Sequence, residues 1–190
     1  MDVRFVPLEL PRIDALRAEV AVLPFFADER PLRGAAGLCD WRLCGRLSRV
    51  LQRGRVTGGL GEVTLVPGRP RLPFDKLLLV GCGPAPAFDE AAHAAVVARV
   101  TRTLEGLRLR SFALSLPGRG AGRLGPGEAV RWFLRALEAD DPFDEVMILD
   151  EAEAHRAMLP VVEAERQRLQ RARERRDAAA AEGDDPDAET

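Results

Sequence analysis

Five glycines fall between Gly118 and Gly127, in a run that reads Gly-Arg-Gly-Ala-Gly-Arg-Leu-Gly-Pro-Gly. Glycine lets backbone N–H groups come close to an anion, and a helix that starts just after such a loop adds the positive end of its dipole. The chemistry this spacing suggests is a phosphate or pyrophosphate held by Gly118, Arg119, Gly120, Ala121 and Gly122. Arg119 and Arg123 would add charge-assisted hydrogen bonds. A glycine-rich connection without a ligand is the other reading. Two more glycine turns complete the candidate set, Gly81-Cys82-Gly83-Pro84 and Arg33-Gly34-Ala35-Ala36-Gly37. If the strands end at one edge of a doubly wound sheet, Gly81, Gly83, Gly34 and Gly37 gather near Gly118 and face one crevice; tight turns alone are the alternative.

No bond-making set accompanies these glycines. No Gly-Lys-Ser/Thr triplet follows any glycine, so a P-loop is excluded, and Pro84 and Ala85 break a dinucleotide fingerprint at Gly81. Cys82 has no histidine near it in sequence and reads as a small buried thiol. His93 and His155 are the only histidines, and neither they nor Asp89 and Glu90 have metal-ligand spacing. Asp40, beside Trp41, is read as a carboxylate opening a long helix, a capping role. No metal and no cofactor are expected.

The composition narrows the classes further. The chain has 190 residues, 46% of them apolar, a net charge of −2, a single lysine at Lys76, and neither asparagine nor tyrosine. That length buries a real core. Five acids lie between Glu182 and Thr190, so the remainder carries about +3 (−2 less −5), well short of a nucleic-acid footprint. Three cysteines without framework spacing and the absence of a signal-like start imply a reduced, cytoplasmic protein, and no apolar run approaches a membrane span.

The elements that must position the glycines follow from periodicity. Arg4 to Leu10, Glu19 to Phe26, Gly61 to Pro67, Lys76 to Gly81, Ser111 to Leu116 and Glu145 to Leu149 read as strands. The continuous apolar run from Leu77 to Val80 predicts a strand in mid-sheet, covered on both faces. Leu43, Leu47, Val50 and Leu51 recur at helical spacing, as do Ala92, Val96, Val100 and Leu104 between Asp89 and Leu107, and Val130, Phe133, Leu134 and Leu137 between Glu128 and Ala139. Strands alternate with helices from about Leu60, which predicts an α/β fold with three α/β/α layers and a mostly parallel sheet. Glu151 to Arg176 reads as one long, charge-dense helix. The expected organisation is a domain over residues 1–160, a charged helical extension over 161–181 and a disordered acidic tail over 182–190.

The run Leu32-Arg-Gly-Ala-Ala-Gly-Leu-Cys-Asp40, continuing into Leu43-Cys-Gly-Arg-Leu-Ser48, then Gly58-Gly-Leu-Gly-Glu-Val-Thr-Leu65 and Leu77-Leu-Leu-Val-Gly-Cys-Gly83, resembles the N-terminal domain of the cytosolic leucine aminopeptidase family. The resemblance covers about residues 13 to 150 and implies a macro-domain-like mixed sheet. Ala113 to Gly122, then a helix, then Asp144 to Asp150, is similar to the second phosphate loop and last strand of an ADP-ribose-binding macro domain. In the peptidases the metal ligands and catalytic lysine and arginine belong to a larger C-terminal domain with an Asn-Thr-Asp-Ala-Glu-Gly-Arg signature. That signature is absent here, and Gly34-Ala-Ala-Gly37 lacks the asparagine that macro-domain hydrolases use. The resemblance therefore implies a non-catalytic module acting through self-association or a protein partner. Alternatives are binding of ADP-ribose or another phosphorylated nucleotide at Gly118 to Gly122, and service as part of a metallo-aminopeptidase whose catalytic half is elsewhere.

Overall fold

A computed structural model describes residues 1–137 and 143–182, with the side chains of residues 173 and 176–182 outside the description. The helix expected over Glu128 to Ala139 runs only to Ala136, with Leu137 already extended, while Ala139 itself and the expected disorder of residues 183–190 lie outside the described residues. In chain order the elements are β1 (Asp2–Pro7), α1 (Leu10–Asp14), β2 (Val20–Phe25), α2 (Gly34–Arg42), α3 (Arg46–Gln52), β3 (Val63–Pro67), β4 (Lys76–Gly81), α4 (Glu90–Gly106), β5 (Ser111–Leu114), α5 (Pro126–Ala136), β6 (Glu145–Asp150) and α6 (Ala152–Glu182). A single 3-10 turn, Ala85–Ala87, precedes α4.

Six strands form one sheet in the order β1-β6-β5-β2-β4-β3, parallel throughout except where β3 pairs antiparallel with β4. Alternate residues point to opposite faces. Val22, Leu78, Leu114 and Ile148 pack under α4, α5 and α6. Their neighbours Ala21, Leu79, Ala113 and Leu149 pack over α1, α2 and α3. The layers are therefore α/β/α, as the alternation of strands and helices predicts. β4 is buried on both faces as expected, but it lies second from the edge, between β2 and β3, and β5 and β2 take the middle. An unbroken apolar run reports two covered faces, not a position in the sheet.

Two local expectations are corrected. The periodic run through Leu43, Leu47 and Val50 is not one helix, because Cys44 (φ 54°) and Gly45 (φ 76°) turn left-handed and separate α2 from α3. Asp40 does not open a helix either. It lies in the last turn of α2, and its carboxylate accepts from the N–H groups of Leu47 (2.7 Å) and Ser48 (3.2 Å) and from the Ser48 hydroxyl, capping α3 from a distance. Between β1 and β2 the chain makes the one-turn helix α1, which starts at Leu10.

α6 closes the sheet's far side. Ala154, Met158 and Val162 are buried, and the buried Glu165 carboxylate accepts from Arg135 Nε on α5 (3.1 Å) and from Arg168 Nε (2.6 Å). Pairing from two guanidinium groups makes burial of that charge tolerable. On α4, His93 is fully buried between Phe88 and Trp132, whose ring centroids lie 6.0 and 5.6 Å away, and neither ring nitrogen has a partner among the described residues.

Burial lowers the His93 pKa to about 4, so the folded protein keeps the ring neutral. In the unfolded chain the ring titrates near 6.5. Below that pH the unfolded state binds a proton that the native state refuses, so stability is complete above about 6.5 and falls as pH drops toward 4. Between pH 7 and pH 4 this group alone removes on the order of 3 kcal/mol. Urea titrations across that range will show a flatter profile for His93→Leu than for the parent; parallel profiles would mean that the buried ring titrates normally.

Candidate functional site

In an open α/β sheet, a crevice forms outside the carboxyl ends of two adjacent strands whose connections leave on opposite faces. β2 and β5 are such a pair: the chain leaves β2 for α2 on one face and leaves β5 for α5 on the other. A crevice of about 280 Å³ lies there, lined by Gly34, Ser115, Arg119, Gly120 and Gly122, with Asp150 and Glu151 from the end of β6.

Its two buried charges are already matched to each other. Arg119 Nε and Nη2 donate to the two Asp150 oxygens at 2.7 and 3.0 Å, and Nη1 donates to the Leu124 carbonyl at 2.8 Å. Asp150 also accepts from the Glu151 N–H at 2.8 Å. Only 16% of the Arg119 side chain and 7% of the Asp150 side chain meet solvent. A planar guanidinium matched to both carboxylate oxygens is the geometry that lets two charges survive burial. Arg119 is thus spent on the fold and does not project at an incoming anion.

The loops on either side touch. A Cβ added at Gly34, whose φ is +54°, would stand 2.9 Å from Gly120 Cα, so the two backbones meet where a side chain would not fit. Some donors remain: the N–H groups of Gly34, Ala35 and Ala36 begin α2, and those of Gly120 and Ala121 have no bond among the described residues. The Ser115 side chain also lines the crevice, 7% exposed, and its hydroxyl has no partner among the described residues.

Of the residues singled out by sequence, Gly34, Arg119, Gly120 and Gly122 share this crevice. Gly118 packs on Phe88 and Leu124, and Ala121 leans on the core under α4 and α5. Arg123 reaches the Pro86 carbonyl instead (3.5 Å). Gly37 is inside α2, against the Leu32 carbonyl. The expectation that Gly81 faces the same crevice fails: the backbone of Gly58 and Gly59 lies against Gly81, and Gly58 accepts from the Gly83 N–H at 2.9 Å. That covering loop is held by Glu62, whose carboxylate collects the N–H groups of Thr57, Gly58 and Gly59. Ser115 and Asp150 escaped sequence reasoning, the first because a serine at a strand end has no signature. Asp150, the acid that closes the apolar run from Val146 to Leu149, was the available signal.

The remaining titratable candidates are structural. Burial, with Glu29 adding repulsion, pushes the Cys82 thiol up to about 12, so it is no nucleophile at neutral pH. His155 is buried against Phe5 (5.0 Å), and burial outweighs the opposing charge of Asp150 to lower its pKa. Among the described residues no three of His, Cys, Asp and Glu converge as metal ligands would.

Residues 22–137 match the profile of the cytosol aminopeptidase family, N-terminal domain. A probable cytosol aminopeptidase of Thioalkalivibrio sulfidiphilus is 34% identical over 100 residues, covering 51% of this chain and 20% of that protein. The chain thus spans about a fifth of the length of this relative. Among solved structures, a macrodomain of Oceanobacillus iheyensis with ADP superposes with a TM-score of 0.64 at 16% identity, over 82% of this chain and 88% of that one. A tomato leucine aminopeptidase superposes with a TM-score of 0.56 at 13% identity, over 85% of this chain and 35% of that one. The sheet and its flanking helices are therefore macrodomain-like.

Removing one partner of the buried pair strands the other. Arg119→Ala will lower the unfolding free energy by about 3 kcal/mol or more, and Arg119→Met combined with Asp150→Leu will restore most of it. Chemical denaturation of the three proteins checks this; a loss below about 1 kcal/mol for the single variant would place the pair in effective contact with solvent.

Proposed function

Because this chain belongs to the cytosol aminopeptidase family, N-terminal domain, we propose that it is a non-catalytic association module, a macro-like scaffold that binds protein instead of turning over a substrate. The observation that carries this reading is the Arg119–Asp150 pair, which fills the crevice at the switch point with the protein's own charges. The space left, about 280 Å³, lies at the lower limit of the roughly 300–1,000 Å³ of ordinary small-molecule sites. Family membership also supports a narrower form of the same reading, in which the partner is the catalytic part of a metallo-aminopeptidase carried elsewhere.

A second reading, binding of ADP-ribose or another phosphorylated nucleotide, is supported by the unpartnered Ser115 hydroxyl beside the free N–H groups of Gly34 and Gly120. On that reading Arg119 would swing out and the Gly34 and Gly120 loops would part.

Calorimetry with ADP-ribose and light scattering on the same preparation separate the two. We expect no heat from the nucleotide, and a mass above that of one chain, alone or with the catalytic segment of a cytosol aminopeptidase added. Saturable heat that disappears in Gly120→Glu would establish the nucleotide reading instead. A monomer at every concentration that ignores the added segment would overturn the association reading. Release of leucine from a chromogenic amide by the purified chain with Mn²⁺ or Zn²⁺ would overturn its non-catalytic part.

A further inference from the structure

The break between α2 and α3 exposes chemistry that neither the crevice nor the core uses. Trp41 is 66% exposed, the most solvent-facing large apolar side chain among the described residues. It borders a groove of about 650 Å³ whose walls include Pro31, Leu32, Cys44 and Arg71. Beyond Arg42 and Arg71 the groove runs into a second depression of about 760 Å³, beside Glu19 and Asp75, which precede β2 and β4. That places the trough at the amino ends of those strands, away from the crevice.

The charges along the first groove are unequally satisfied. The Asp40 carboxylate is buried and occupied by Leu47 and Ser48. Arg42 pairs with Asp14, and its guanidinium carbon lies 5.8 Å from the Trp41 ring centroid. Arg71 has no carboxylate among the described residues; its Nη1 contacts only the Cys44 sulfur, at 3.1 Å. A thiol is a weak acceptor, so this guanidinium keeps most of its hydrogen-bonding capacity for something else.

We propose that the groove docks an extended segment of a partner protein, with an acidic side chain on Arg71 and a neighbouring apolar side chain on the Trp41 face. Tryptophan and arginine are the residue types that most often anchor interfaces, the first by area and the second by bidentate pairing with a carboxylate. Two other occupants fit less well. A second copy joined through this patch by a two-fold axis offers Arg71 only the patch's own carboxylates, and Asp14, Glu19 and Asp75 are already paired with Arg42, Lys76 and Arg69. A nucleic-acid strand, stacked on Trp41, needs a run of free cations for its phosphates, and in the adjoining depression Arg42 and Arg69 are already paired with Asp14 and Asp75. An extended segment seated in the Trp41 groove needs only one acidic side chain there, for the Arg71 guanidinium that has no carboxylate among the described residues. This inference rests on the association reading and gives it a surface.

The test uses the blocked peptide Glu-Leu-Glu-Phe-Glu, its counterpart with lysine in place of glutamate, and a ten-nucleotide oligothymidine. The acidic peptide should bind saturably by calorimetry, with a change in exposed-indole fluorescence. Trp41→Ala and Arg71→Glu should each weaken binding by ~tenfold or more, and both positions are exposed enough that circular dichroism should stay unchanged. Absence of saturable binding, equal binding of the lysine peptide, tighter binding of the oligonucleotide, or variants that bind like the parent would each overturn the proposal. So would a fluorescence change with protein concentration alone that Trp41→Ala abolishes, since the occupant is then a second copy. If light scattering finds association while the peptide arm fails, the groove is wrong and the association reading survives.

Discussion

Two opposite charges stay enclosed in protein only where their hydrogen-bonding capacity is met by one another and by the backbone, and the meeting of Arg119 with Asp150 satisfies that constraint at the switch point of this sheet. The guanidinium comes from the loop after β5 and the carboxylate from the last residue of β6. Joined, they fix the height of the glycine loop above the sheet, and Leu124 is drawn in by the remaining guanidinium nitrogen. Gly120 then rests against Gly34, which ties the β5 loop to the start of α2 on the other face of the sheet. The topology opens a crevice at this point, and this ion pair decides how much of it is left.

The architecture was legible because it rests on periodicity. Apolar runs at Leu77 to Val80 and Val146 to Leu149, and helical spacing through Val96, Val100 and Leu104, carry burial on their face, and all of these residues are in the core. What was not legible depends on a single backbone turn or a distant partner. Leu43 to Leu51 keeps helical spacing across a break that only the φ values of Cys44 and Gly45 disclose. Gly81 ends a strand and Gly118 follows one, yet nothing local to either indicates that the Gly58–Gly59 backbone already lies on the first. Arg119 reads as a phosphate ligand until Asp150, 31 residues on, is seen to hold it.

The family assignment and the fold agree with each other and leave different parts of the surface to explain. One end of the sheet carries the glycine loops and is largely filled by its own side chains. The other carries the α2–α3 break, where Asp40 is consumed in capping and Arg71 is left facing a sulfur atom. The same turn that cuts the helix therefore sets Trp41 outward, and a backbone requirement of the fold becomes an exposed aromatic shelf.

Burial also sorts the three thiols. Cys39 and Cys82 are walled in, each with its proton held up to about 12, while Cys44 sits on the open turn within reach of a cation. An alkylating dye offered to the folded protein should therefore label one position, at the rim of the tryptophan groove, without any cysteine having to be removed beforehand.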